Sequence, residues 1–233
     1  IGVLDNNPFQ VDPCKTLQDL MDPTKQNILP EINWLKNKLI NGEQIEWSSS
    51  FNKNTLQNER QSGTQYNVKI NIGSNYVGSI HLHPKTGYGI FSWVDLQTLA
   101  KTRSNAALQK QANVTLMLVT HNPDNPSNPN VYALFIEDSD KLQSQLDNMW
   151  NASRFNINGV PASDEDKIKT IHDEMAIKYE KNKNNLEAYF LKYVASYGVS
   201  IYKANNDVSQ WSKLERSNLN GTEIAFPNPC VQL

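Results

Sequence analysis

The 233-residue sequence predicts an α/β chain, of the α+β kind, that ends in a mainly helical C-terminal extension. Three observations predict this class. Ile28, Ile32, Leu35, Leu39 and Ile40 recur at helical spacing. Tyr66, Val68, Ile70 and Ile72 alternate with polar residues, as on a half-buried strand. Two apolar runs, 114–120 and 131–137, flank an Asn/Pro/Asp-rich loop and read as paired strands.

The elements follow in order. Asp12-Pro13 and Asp22-Pro23 open two helical stretches, each an acidic cap followed by a proline suited to the first helical position. The second stretch stops at Asn41-Gly42. A strand through 42–51 comes next, then strands over 65–72 and 76–83, a helix opened by Ser92, and the pair 114–120 and 131–137. A first domain over 1–150 is therefore expected. The remainder, 151–233, is expected to be a mainly helical extension packed on it. Ile168, Ile171, Met175, Ile177, Tyr179, Leu186, Tyr189, Phe190, Tyr193 and Val194 make a broad apolar stripe there, which reads as core. A short strand over 199–203 and a return of the chain to the body over 221–233 complete the reading.

Chemistry concentrates in one stretch. His81-Leu82-His83-Pro84 lies on the strand 76–83, where residues two apart share a face, so both histidines reach one metal ion while Leu82 points into the core. Ser92-Trp93-Val94-Asp95 then reads as a capping box, with Ser92 at the N-cap and Asp95 in the first helical turn. Two histidines and one carboxylate leave a zinc ion (Zn2+) an open position, the pattern of catalytic zinc; structural sites are closed, usually by thiolates. Only Cys14 and Cys230 could supply those.

The order strand, His-x-His-Pro, glycine-containing loop, Ser-x-x-Asp, helix resembles the JAMM motif of the JAB/MPN metallopeptidases, which include deubiquitinating isopeptidases and bacterial relatives. In pattern it is nearest to secreted JAB-like proteins of Bacteroidetes-type bacteria. The resemblance covers roughly 14–137 and implies a mixed sheet flanked by helices. It also implies His81, His83 and Asp95 as zinc ligands and an upstream glutamate as general base. Glu43 and Glu46 both lie where that base is expected. Glu46, followed by Trp47-Ser48, fits the family's Glu-x-small form better than Glu43 does. Ser92 is then expected to donate to the oxyanion as well as to cap the helix. The loop between His83 and Ser92 is one residue longer than the commonest family spacing, and Gly87 and Gly89 are expected to absorb the difference through their backbone freedom.

These residue types suit amide hydrolysis. Zinc brings the pKa of its bound water to about 7, and a glutamate in reach takes the proton and passes it to the leaving nitrogen. The implied substrate is a protein or peptide. Two other classes stay open at this level: an inactive binding module on the same fold, and a structural metal-binding domain.

Other residues carry blander readings. His172-Asp173-Glu174 lacks the spacing that puts two histidines on one helix face and reads as a solvated charged surface. His121 reads as the end of a strand, Ser48-Ser49-Ser50 as polar strand, and Cys14 as a partly buried cysteine of the first helix. The formal net charge of −2 and a pI near 6.1 argue against a nucleic-acid partner. No apolar run reaches the length of a membrane span. Cys14 and Cys230 permit either a disulfide joining the two ends or two free thiols; a disulfide would support a secreted, periplasmic or cell-surface setting. Because it begins at Ile1, the sequence is expected to be a processed mature protein or a trimmed fragment, and any signal peptide or lipid anchor would have been lost with the upstream piece.

Overall fold

The computed structural model describes residues 12–157, 159–219 and 221–231. The start of the expected first domain, 1–11, lies outside the described residues, as do Asn158, Asn220 and the last two residues of the expected return segment.

Helix α1 (Pro13–Met21) begins as expected, with Asp12 accepting from the Cys14 backbone N–H and Pro13 in the first turn. Helix α2 (Leu29–Ile40) starts later than Asp22-Pro23 predicts. Asp22 instead ends α1, and Asn27 takes a left-handed conformation (φ 49°) that helical backbone cannot continue through. Strand β1 (Trp47–Asn52) pairs with β2 (Gln57–Ser62), and β1 also pairs with β3 (Tyr76–Leu82). Helix α3 (Trp93–Asn105) leads to β4 (Thr115–Thr120), β5 (Asn130–Ile136) and α4 (Ser139–Trp150). A two-stranded ribbon, β6 (Asn156–Ile157) with β7 (Val160–Pro161), precedes α5 (Asp164–Lys181) and α6 (Leu186–Tyr193). Strands β8 (Val199–Ala204), β9 (Trp211–Leu219) and β10 (Thr222–Pro229) close the chain.

Eight strands form one mixed sheet in the order β10-β9-β8-β5-β4-β3-β1-β2, antiparallel except for β3 beside β4. Its two faces carry different cores. Leu17, Ile32 and Leu35 of α1 and α2 pack with Ile80, Leu82, Met117, Val119 and Phe135 on one face. Leu96, Leu142, Ile171, Met175, Tyr179 and Phe190, from α3 to α6, pack with Leu116, Leu118 and Leu134 on the other. Alternation along each strand produces this division.

Two sequence expectations fail here. The segment 65–72 is not a strand, despite its alternation. It lies across the face of β1 instead: the Ser48 hydroxyl donates to the Lys69 carbonyl (2.7 Å) and the Ser50 hydroxyl accepts from the Asn71 N–H (2.9 Å). Side-chain hydroxyls thus take backbone groups that a strand would give to a ladder. The C-terminal part is also less helical than expected. Residues 199–229 supply three strands that extend the same sheet past β5, so a boundary at 150 does not divide the sheet. The β9–β10 hairpin pairs its strands up to Leu219 and Thr222, with Gly221 at positive φ (83°). It brings Cys230 to Cys14, and the two form a disulfide with Cα atoms 5.5 Å apart.

Candidate metal centre

His81 occupies the end of β3 in register with Leu118 of β4, so its ring points to the α3–α6 side of the sheet, while Leu82 is fully buried on the opposite side. Gly78 lets β3 come this close to β4. Its φ is +150°, and a Cβ there would lie 2.2 Å from the Thr115 carbonyl oxygen. His83 follows directly, tied by its backbone N–H to the Val119 carbonyl at 3.0 Å.

Asp95 arrives from the first turn of α3 through a full capping box. The Ser92 hydroxyl accepts from the Asp95 N–H at 3.2 Å, and the Asp95 carboxylate accepts from the Ser92 N–H at 2.6 Å. The Ser92 hydroxyl in turn donates to Asp95 Oδ2 at 2.9 Å, so serine and aspartate are bonded three ways.

The three side chains converge and are buried, with ligand atoms within 4.8 Å of one another. The Nε2 atoms of His81 and His83 are 3.1 Å apart; His81 Nε2 lies 3.1 Å from Asp95 Oδ1, and His83 Nε2 lies 3.6 Å from Asp95 Oδ2. Ligands at about 2.0–2.1 Å from a tetrahedral ion stand roughly 3.3 Å from each other, so the spacing of this donor set suits a metal ion. The second ring nitrogens matter as well. His83 Nδ1 lies 3.0 Å from the Tyr88 carbonyl; donation there fixes the tautomer that leaves Nε2 free to ligate. His81 Nδ1 is buried, with Met117 backbone acting on the ring but no full hydrogen bond closed to that atom.

Electrostatics around the cluster favour an ionised carboxylate beside the two imidazoles. Burial works against the charge on Asp95, yet His81, His83 and the Ser92 N–H outweigh it and hold the carboxyl well below the usual range. Burial likewise disfavours a charged His81, but Asp95 and then Glu46 raise its pKa above the ordinary value. Burial pushes His83 down to about 4, which keeps it neutral.

The two candidate bases separate. Glu46 precedes β1 by one residue, and its backbone continues the β1–β2 ladder through Gly63 and Thr64 (2.9 and 2.7 Å). It lies two residues before Ser48, the register partner of His81, and so shares the His81 face. Burial raises its carboxyl to about 7, with His81 lowering and Asp95 raising it. Glu43 belongs to a different cluster. Its carboxylate accepts from Trp47 Nε1 (2.9 Å), Lys38 Nζ (3.3 Å) and the Gln44 N–H (3.0 Å), and these donors, against burial, hold it below the ordinary value.

The glycines of the linking loop act through space, not through unusual angles: neither Gly87 nor Gly89 has positive φ. A Cβ on Gly89 would press Leu186 at 3.1 Å, and one on Gly87 would press the Pro84 carbonyl at 3.2 Å. His172 departs from its expected role as surface charge. It is half-buried, with its ring 4.8 Å from that of Tyr88. His121 does follow the end of β4. The reading of the sequence missed Tyr88, Met175 and Tyr179 as neighbours of the site; their contacts are long-range and leave no local pattern.

No protein-family model matches the sequence, and no curated protein matches it.

Proposed function

We propose that this chain is a zinc-dependent hydrolase of JAMM type that cleaves a peptide or isopeptide amide bond. The observation that carries the reading is the meeting of His81, His83 and Asp95 in one buried cluster, with Glu46 facing the same side. His81 and His83 through Nε2, and Asp95 through Oδ1, would hold the ion. When bound, zinc supplies Lewis acidity, which polarises a carbonyl and makes hydroxide available near neutral pH.

The chain's own residues do the rest. Glu46 has a carboxyl balanced near neutrality, suited to taking a proton from water at its carboxylate and returning it to the leaving nitrogen. Ser92 anchors Asp95, and its hydroxyl would donate to the developing oxyanion by turning its single proton away from Asp95 Oδ2. Two apolar cores and a disulfide already hold the fold, which favours a catalytic over a structural role for the ion. The disulfide also fits an exported protein, and no helix among the described residues is long and apolar enough to cross a membrane.

The test is turnover of a quenched-fluorescent peptide library and of Nε-linked isopeptides by the zinc-loaded protein and its Glu46→Gln variant. The reading expects hydrolysis that is lost in the variant while bound zinc is retained. Equal turnover by the variant removes Glu46 from the mechanism; no turnover by the parent leaves only a binding role for the site.

A further inference from the structure

The segment joining the two halves of the metal centre is held by a helix from the C-terminal part of the chain. His172, Met175 and Tyr179 of α5 are spaced to share one face of that helix, and each engages a different point of 88–93. The Tyr88 hydroxyl donates to the His172 carbonyl at 2.8 Å. The Trp93 N–H, at the start of α3, points to Met175 Sδ at 3.2 Å. The Tyr179 hydroxyl, buried, donates to the Phe91 carbonyl at 2.7 Å.

Each of these points is one step from a ligand. Tyr88 presents to His83 the carbonyl that fixes its tautomer, and that same oxygen accepts from the Thr120 hydroxyl at 3.1 Å. Phe91 and Trp93 flank Ser92, whose backbone and hydroxyl both bond Asp95. A shift of this segment moves Asp95 against His81 and disturbs the bond that orients the His83 ring, while the sheet holds the backbones of both histidines.

We propose that Tyr179 is a positioning residue for the metal centre: through the Phe91 carbonyl, and together with Met175 and His172, it sets the segment 88–93 so that His83 and Asp95 converge on one ion. This rests on the metal reading above. Residues that orient ligands in this way typically change metal affinity by about 10- to 100-fold when altered.

The experiment measures zinc affinity by competition with a chromophoric chelator, alongside the melting temperature of the metal-free protein. Four full-length chains are compared: the parent, Tyr179→Phe, Tyr88→Phe and Tyr132→Phe. Tyr132 is the control, because its hydroxyl, on a buried side chain of the same core, donates to Glu187 at 2.7 Å and not to 88–93. We expect Tyr179→Phe and Tyr88→Phe to bind zinc at least tenfold more weakly than the parent, and Tyr132→Phe to bind within twofold of it, whatever the changes in melting temperature. If Tyr179→Phe does not fold, Tyr88→Phe carries the comparison. Zinc affinities that are equal across the set, or that fall only in step with melting temperature in all three variants, overturn the inference and leave the metal reading standing. A parent that binds no zinc overturns the metal reading and the inference with it.

Discussion

Glu46→Gln in the metal-free protein is expected to become more stabilising than the parent residue as pH rises. Burial raises the Glu46 carboxyl from 4.5 to about 7. Between those values the unfolded chain has released this proton while the folded chain still holds it, so stability falls with rising pH; below 4.5 both states hold the proton and the group contributes nothing. Forcing the folded carboxyl to ionise costs up to about 3 kcal/mol, an upper value because part of the side chain still reaches solvent. Glutamine keeps the shape and does not titrate. The assay is urea unfolding of parent and variant in chelator at intervals from pH 4.5 to 8. Variant stability minus parent stability should climb across this range and level off above pH 7. With saturating zinc the climb should shrink, because a nearby dication favours the carboxylate. A difference that stays flat from pH 4.5 to 8 in chelator would refute the placement of Glu46 beside the buried cluster.

Asp95→Ala removes a ligand and one half of the capping box, so bound zinc measured by elemental analysis should fall below stoichiometric, with a loss of stability of roughly 1 kcal/mol from the cap alone; full zinc retention would contradict the ligand assignment. Replacing Cys14 and Cys230 together by alanine releases a loop closed over a separation of 216 residues, for which chain entropy gives up to about 5 kcal/mol. The denaturation midpoint should drop accordingly, and the parent should show the same drop on adding reductant. Identical midpoints with and without reductant would count against the bond.

His81, His83 and Asp95 were legible in the sequence as a candidate metal group because their geometry is local. Strand alternation puts His81 and His83 on one face, and a capping box fixes Asp95 in its first turn; neither needs distant residues. Glu46 was preferred to Glu43 on local sequence alone, whereas the engagement of Glu43 by Lys38 and Trp47 emerges only from the fold. The segment 65–72 misled because its alternation is real but its backbone bonds to Ser48 and Ser50 hydroxyls. The C-terminal strands were hidden for a different reason: β9 and β10 are largely exposed and polar, so they lack an apolar signature, and the Asn-Gly pair at 220–221 of the sequence is the local clue. The grip of α5 on 88–93 runs partly through backbone carbonyls and one N–H, which no side-chain pattern announces.

The bond between Cys14 and Cys230 makes a covalent ring of nearly everything described. A protease that cuts the exposed stretch 123–127 therefore opens the ring without dividing the molecule. The two pieces, one bearing His81, His83 and Asp95 and the other bearing Tyr179, would stay joined and migrate as one species until a reductant parts them. Outside a reducing compartment, a single nick is damage this chain can carry while keeping His81, His83, Asp95 and α5 in one particle.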